Sequence, residues 1–248
     1  MARQRSLKSR AADPEPAPGR IGGIDALRGL AVIAMVAYHF AFDLAYFRVT
    51  AQNFYRDPFW LHSRTAILSS FLLIAGMSLV LAQRSPQGRA RFWVHVARVA
   101  ACALAVSAAS YLMFPRSFIW FGVLHAIALS LVLLRPLAAR PWLALAIGIA
   151  VVIAGNAFQS AAFDSRAVGW IGFMTAKPVT EDYVPLFPWM GVLLLGVALG
   201  HALLRTGFAA LAPLARAPRF LRFLGRHSLV VYLVHQPLMM LLLWVPLH

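Results

Sequence analysis

Five side chains suited to proton chemistry or ion pairing fall in a single apolar run. The run reads IDALRGLAVIAMVAYHFAFDLAYF, Ile24 to Phe47, and carries Asp25, Arg28, His39, Asp43 and Tyr46. At about 100° per residue, all five lie within roughly 60° of one another on a helical wheel. A charged group facing lipid costs several kcal/mol, so such a row normally points into a bundle or a wet cavity. His39 and Asp43 are an i,i+4 pair and share a face. An imidazole suits proton transfer near neutral pH, and a carboxylate beside it can hold one tautomer and raise its basicity. The competing reading of the row is a structural ion-pair network that orients helices.

Further histidines fall at spanning positions. His125 lies in FGVLHAIAL and His235 in SLVVYLVHQPLM. At a rise of about 1.5 Å per residue, His39 and His125 come out at similar depth, with His235 somewhat deeper. Each alone reads as readily as a satisfied structural residue; three at related depth point to a site. Ser228, Tyr232 and His235 make a stripe, and Pro237 is expected to break or kink that helix. His95, Arg98 and Cys102 make another, near one end of their run, and Arg28 lies near the same end of its own. Two guanidiniums there suit bidentate recognition of phosphate. The bland alternative pairs Arg28 with Asp25 and lets Arg98 snorkel to lipid phosphate. Gly196 and Gly200 read as close helix packing. The single Cys102 can form no internal disulfide, and no metal-ligand spacing involves it, so no metal is expected.

The elements that must position these groups are membrane spans. The 248 residues are 61% hydrophobic and 12% charged, against about 45–50% and 25% for soluble domains. Apolar runs recur at Ile24–Phe47, Thr65–Ala82, Val94–Phe114, Phe118–Leu134, Trp142–Phe158, Phe187–Leu204 and Ser228–Val245. They lack the alternation of membrane strands. The expected fold is therefore all-α, a polytopic bundle of about seven spans. Residues 1–20, rich in Arg, Pro and Ala, read as a disordered basic tail and not a cleavable signal. Residues 21–248 form the transmembrane domain. Gln159–Leu186 and Thr206–His227 are the long connections, and the second reads as an interfacial amphipathic helix. No internal repeat of the kind found in many transporters is evident.

Orientation follows from Lys and Arg. With the N-terminus inside, the inner stretches hold Arg3, Arg5, Lys8, Arg10, Arg20, Arg84, Arg89, Arg91, Arg135, Arg140, Arg205, Arg216, Arg219, Arg222 and Arg226. The outer stretches hold only Arg48, Arg56, Arg64, Arg116, Arg166 and Lys177. That bias predicts N-in and C-out. It also accounts for the net charge of +15 as topology and attraction to anionic lipid. No soluble domain is left to carry a nucleic-acid site.

Four segments carry a family resemblance: IDALRGLAVIAMVAYHFAFDL, FGVLHAIAL, DYVPLFPWMGVLLLGVALG and LGRHSLVVYLVHQPL. In this order they resemble the bacterial proteins grouped with the catalytic domain of heparan-α-glucosaminide N-acetyltransferase. More distantly they look like the membrane acyltransferases that O-acetylate cell-surface sugars. The resemblance covers most of residues 20–245. It implies an acetyl group taken from cytoplasmic acetyl-CoA and handed to a sugar across the membrane. It implies that Asp25 and Arg28 belong to the DxxRG motif, and that His39, His125 and His235 match the family's intramembrane histidines. In the lysosomal enzyme the catalytic histidine lies in the luminal stretch after the first helix, a place that His62 takes here.

Together these readings give a membrane-embedded acyltransferase of the bacterial inner membrane and cell envelope. Its candidate catalytic residues are His39, Asp43, His125, His235 and His62. Arg28, Arg98 and Asp25 are the candidate groups toward acetyl-CoA. The expected partners are the lipid bilayer, a small-molecule acyl donor, a glycan acceptor and a second copy of the chain in a homodimer. The alternative is a proton-coupled transporter or flippase using His39, Asp43 and His125 as a relay. Orientation is directly testable. Reporter fusions after Leu134 should be cytoplasmic, and fusions at Ala162 or at the C-terminus external. A cytoplasmic C-terminus would overturn the seven-span arrangement.

Overall fold

The structure, a computed structural model, describes residues 21–84 and 87–247. The expected disordered tail, residues 1–20, lies outside them. Helices α1 (Gly22–Tyr46), α2 (Pro58–Arg84), α3 (Gly88–Met113), α4 (Val123–Leu134) and α5 (Pro141–Ala157) come first. They are followed by a single turn, α6 (Arg166–Gly169), and by α7 (Leu186–Arg205), the short α8 (Ala212–Ala215), α9 (Arg219–Arg226) and α10 (Ser228–Leu247). No strand occurs among the described residues, only an isolated parallel bridge between Phe121 and Tyr183. Four helices, α1, α2, α3 and α7, are long and apolar enough to cross a membrane. Three further apolar helices, α4 with its 3₁₀ extension, α5 and α10, are shorter in the apolar stretch that counts.

Three expectations need correction. The fourth apolar run was expected to be helical from Phe118, but α4 begins at Val123. Its first turn is set by side chains: Asp182 Oδ2 accepts from Val123 N–H at 2.8 Å, and His125 Nδ1 accepts from Gly122 N–H at 3.2 Å. Residues before it are held out of the helix by the bridge to Tyr183. The Thr206–His227 connection is not one amphipathic helix. Pro213 sits in the first turn of α8, where a missing N–H costs nothing, and Pro218 separates α8 from α9, because proline lacks the N–H and crowds the preceding turn. In α10 the helix continues through Pro237 without a break.

Glycines let the backbones approach. Gly76 of α2 lies against the Leu193 carbonyl of α7, and Gly196 of α7 against the Leu73 carbonyl of α2. Leu72, Leu79, Val80, Leu193, Leu194 and Val197 fill the same seam and are fully buried. A second close contact sets α9 across the start of α1, with Gly225 against the Asp25 carbonyl and Gly29 against that of Leu221. In both places helices meet with almost no side chain between them, as small-residue seams allow.

A Cβ at Gly76 has nowhere to go except into backbone. Gly76→Ala should cost about 1–3 kcal/mol, the usual penalty for overpacking, read as a lower melting temperature in detergent. Gly22→Ala is the control, since its new Cβ would meet neighbours only at 3.8 Å. Equal melting of the two variants would refute the seam.

Candidate functional site

One cavity of about 1990 Å³ collects most of the residues singled out by sequence. Pockets that hold one small molecule are about 300–1,000 Å³, so this space is larger than one small ligand needs. At one end it is lined by Arg28, Arg84, Arg91, Arg98, Arg226 and His95. At the other it is lined by Tyr38, His39, Asp43, Arg64, Lys177 and Asp182. His235 and Gln236 of α10 also line it.

The arginine-rich end is organised by Asp25, which is only 2% exposed. Its Oδ1 faces Arg28 Nη1 at 3.4 Å, and its Oδ2 accepts from Arg226 Nε at 3.2 Å. Arg28 Nη2 donates to Ser78 Oγ at 2.8 Å. The structure thus contains the bland Asp25–Arg28 pair, yet Arg28 still lines the cavity. Arg98 stands exposed at the opening beside His95. Cys102, on the same stripe, packs instead among apolar residues of α3, α4 and α10.

His39, half-buried, lines the cavity at its second end. Its Nδ1 lies 2.9 Å from the Met35 carbonyl. A carbonyl only accepts, so Nδ1 carries the proton and Nε2 keeps the lone pair. His235 repeats the arrangement, with Nδ1 2.7 Å from the Tyr232 carbonyl and Nε2 buried with no protein partner. The two rings meet edge to face with centroids 4.9 Å apart. The expected His39–Asp43 pairing does not form. The Asp43 carboxylate, 1% exposed, turns to α10 and accepts from Gln236 Nε2 at 2.7 Å. The helix's own carbonyl, four residues back, takes the orienting role in its place.

His125 lies in the cavity's neighbourhood, but both its ring nitrogens are engaged. Nδ1 accepts from Gly122, and Nε2 lies 3.2 Å from Ser107 Oγ, whose hydroxyl donates to the Ile119 carbonyl at 2.6 Å. That pattern shapes the chain between α3 and α4. His62 is exposed on the first turns of α2 and is absent from the cavity wall. Among the described residues no group of three His, Cys, Asp or Glu side chains is placed to hold a metal.

Several residues here were missed by sequence reasoning. Gln236 carried a signal, as the polar neighbour of His235. Asp182 stood in the DYVPLFPWM segment, but its role as a cap on α4 and a partner of Tyr232 depends on a long loop folding back. Burial is the main influence on Asp182 and holds its carboxyl above the ordinary aspartate range, against the bonds from Val123 and Tyr232. Tyr183 donates to the Gly169 carbonyl at 2.6 Å, and burial pushes its hydroxyl up to about 12. Ser78 and Ser107 had no sequence signal, because a serine in a helix more often bonds only to its own helix.

The described site sits within a recognised sequence family. The family model for the heparan-alpha-glucosaminide N-acetyltransferase catalytic domain matches residues 20–237, a stretch that holds α1 through α9, the first half of α10 and both histidines of the edge-to-face pair. No curated protein and no solved structure matches the chain in the corresponding comparisons. The match covers most of the chain, and with its apolar helices it gives a membrane protein of acetyltransferase type. The chain belongs to the heparan-alpha-glucosaminide N-acetyltransferase catalytic family.

Proposed function

We propose that this chain is an acetyltransferase of the bacterial inner membrane, with seven spans, N-in and C-out. It moves an acetyl group from cytoplasmic acetyl-CoA to a sugar or glycan acceptor on the outer side. The observation that carries this reading is the single cavity joining an arginine-rich end to the His39–His235 pair. Arg28 and Arg98 would grip the CoA phosphates, with Arg84, Arg91 and Arg226 lining the same end and Asp25 holding Arg28 in place. Extended along the cavity, the donor would bring its thioester toward His39.

In the reaction, the acceptor hydroxyl or amine attacks the thioester carbonyl carbon. His39 Nε2 takes the proton that leaves the acceptor, since its lone pair is free for it. The tetrahedral intermediate collapses, the C–S bond breaks, and the departing CoA sulfur recovers that proton from the imidazolium. Met35 orients His39 through Nδ1. His235 contributes a second Nε2 lone pair beside it, Asp43 stabilises the transient positive charge, and His125 shapes the wall. His62 stays outside the chemistry. The competing relay reading draws on His39, Asp43 and His125; proton movement across vesicles without acetyl-CoA would favour it.

The experiment is CoA release and acetyl transfer by the detergent-purified chain, with envelope glycans supplied as acceptor. Arg28→Ala and Arg98→Ala should each weaken CoA binding by about 10- to 100-fold, as loss of charge-assisted hydrogen bonds does. If both fold and bind CoA like the native chain, the phosphate assignment is wrong. His39→Ala should lower turnover by roughly 10²–10⁴-fold, the usual span for removing a general base, with CoA binding retained. His62→Ala should leave turnover unchanged. An inactive His62→Ala beside an active His39→Ala would move the chemistry from the helix to the surface of α2.

A further inference from the structure

The cavity's other end holds two cations whose roles the reaction above does not use. Arg64, from α2, and Lys177, from the loop between α6 and α7, both line it. Lys177 Nζ stands 5.9 Å from the centroid of the Tyr55 ring. Arg64 acts electrostatically on Lys177, on Asp182 and on Tyr38, so all four gather at one opening. Two carboxylates lie near, but each is directed elsewhere. Glu181 is bonded by the Ser117 hydroxyl. Asp182 accepts from Val123 N–H at 2.8 Å and feels the charges of Lys177 and Arg64 only across space. Among the described residues neither carboxylate closes an ion pair with Arg64 or Lys177.

Like charges side by side in a partly desolvated opening repel, and a fold holds them together at a cost unless something anionic enters between them. The lysine registers that cost. Burial, and next the Arg64 guanidinium, hold its ammonium below the ordinary lysine range, with Asp182 and Glu181 opposing. The flanking rings of Tyr38 and Tyr55 offer flat apolar faces of the sort on which a sugar ring can rest, beside two cations that act on each other across the same opening.

We infer that Arg64 and Lys177 form an anion-recognition subsite that selects an acceptor bearing a phosphate or another oxyanion close to the group that is acylated. This rests on the transfer reading for the word acceptor, but not for the binding itself. Arg64 supplies a forked donor and Lys177 a point charge. The acceptor's acidic group then docks at the opening, while its hydroxyl or amine reaches inward toward His39. Neutral sugars lack the anchor. An anion bound here also raises the Lys177 pKa, so its affinity should fall as pH climbs through the lowered lysine titration.

The test is equilibrium binding, which needs no turnover. Glucosamine and glucosamine 6-phosphate are titrated into the full chain in nanodiscs of zwitterionic lipid, and calorimetry reads the affinities. The phosphorylated sugar should bind about tenfold more tightly or better, the worth of one charge-assisted hydrogen bond. Arg64→Gln and Lys177→Gln should each remove most of that preference, and Lys177→Arg should restore part of it. Arg140→Gln, exposed and outside the cavity wall, should leave the preference intact. Equal affinity for the two sugars overturns the subsite, as does a preference that survives in both glutamine variants. If either variant fails to fold, the native chain's preference and its loss at high pH still decide the matter. Anionic lipid that abolishes the preference in the native chain would identify the occupant as a headgroup and overturn the assignment to an acceptor. CoA release is followed separately. Selective binding without release leaves the subsite standing and removes the transfer reading. Release to neutral sugar with no phosphate preference does the reverse.

Discussion

A carboxylate almost out of reach of water, held between two guanidiniums, fixes how this molecule is put together. Asp25 receives Arg28 from its own helix and Arg226 from the end of α9. Removing one partner of such a buried set typically costs about 3–5 kcal/mol, because a charge is left stranded. The set forms only where α9 lies directly on α1, and Gly29 and Gly225 permit that approach. Because α10 starts two residues after Arg226, the same contact sets where α10 begins. Its depth relative to α1 decides that His235 meets His39 and that Gln236 meets Asp43. The placement of the ring pair thus descends from an ion pair at the far end of the bundle.

The chain's two halves contribute unequally to this arrangement. The seams of α7 with α2 and α5 are apolar and glycine-mediated, with fully buried Leu193, Leu194 and Val197. They form a rigid wall. The facing side, built from α1, α3 and α10, leaves the cavity and carries the histidine pair, Asp43 and Gln236. Stability and chemistry are thereby assigned to different helices. Beyond the Asp25 ion pairs, the polar residues of α1 need not also supply that packing.

Much of this was legible in the residue order. Seven apolar runs became seven helices, because hydropathy and length are local properties. The one-sided row on α1 does line the cavity, since Asp25, Arg28, His39, Asp43 and Tyr46 all touch it. The details that failed were choices between partners. Spacing allows Asp43 to serve His39, but it cannot show that Gln236, nearly two hundred residues on, takes the carboxylate. His125 looked equivalent to His39 by depth, yet a glycine N–H and a serine on a neighbouring helix occupy both its nitrogens. Phe118 to Gly122 are as apolar as a helix start. They stay outside the helix because a bridge to Tyr183 and the Asp182 cap compete successfully for them. Such outcomes depend on loops closing over long sequence distances, which no periodicity records.

The shortness of α4 bears on how the bundle meets the surrounding lipid. Twelve residues at about 1.5 Å each give a rod of about 18 Å, against a hydrocarbon layer of about 30 Å. On the seven-span reading, the neighbouring lipid must thin, or α4's neighbours must screen the difference, and each ångström of mismatch costs a fraction of a kcal/mol. The non-helical stretch before α4 bears this at membrane depth because its backbone is bonded inward: Ile119 N–H to Ser110 Oγ, the Ile119 carbonyl to Ser107, and the Phe118 carbonyl to Thr180. The helix's neighbours do the screening: of α4 only Val132 and Leu133 are exposed. On that reading a short helix is tolerated because it stands inside the bundle, and the lipid meets the longer helices around it.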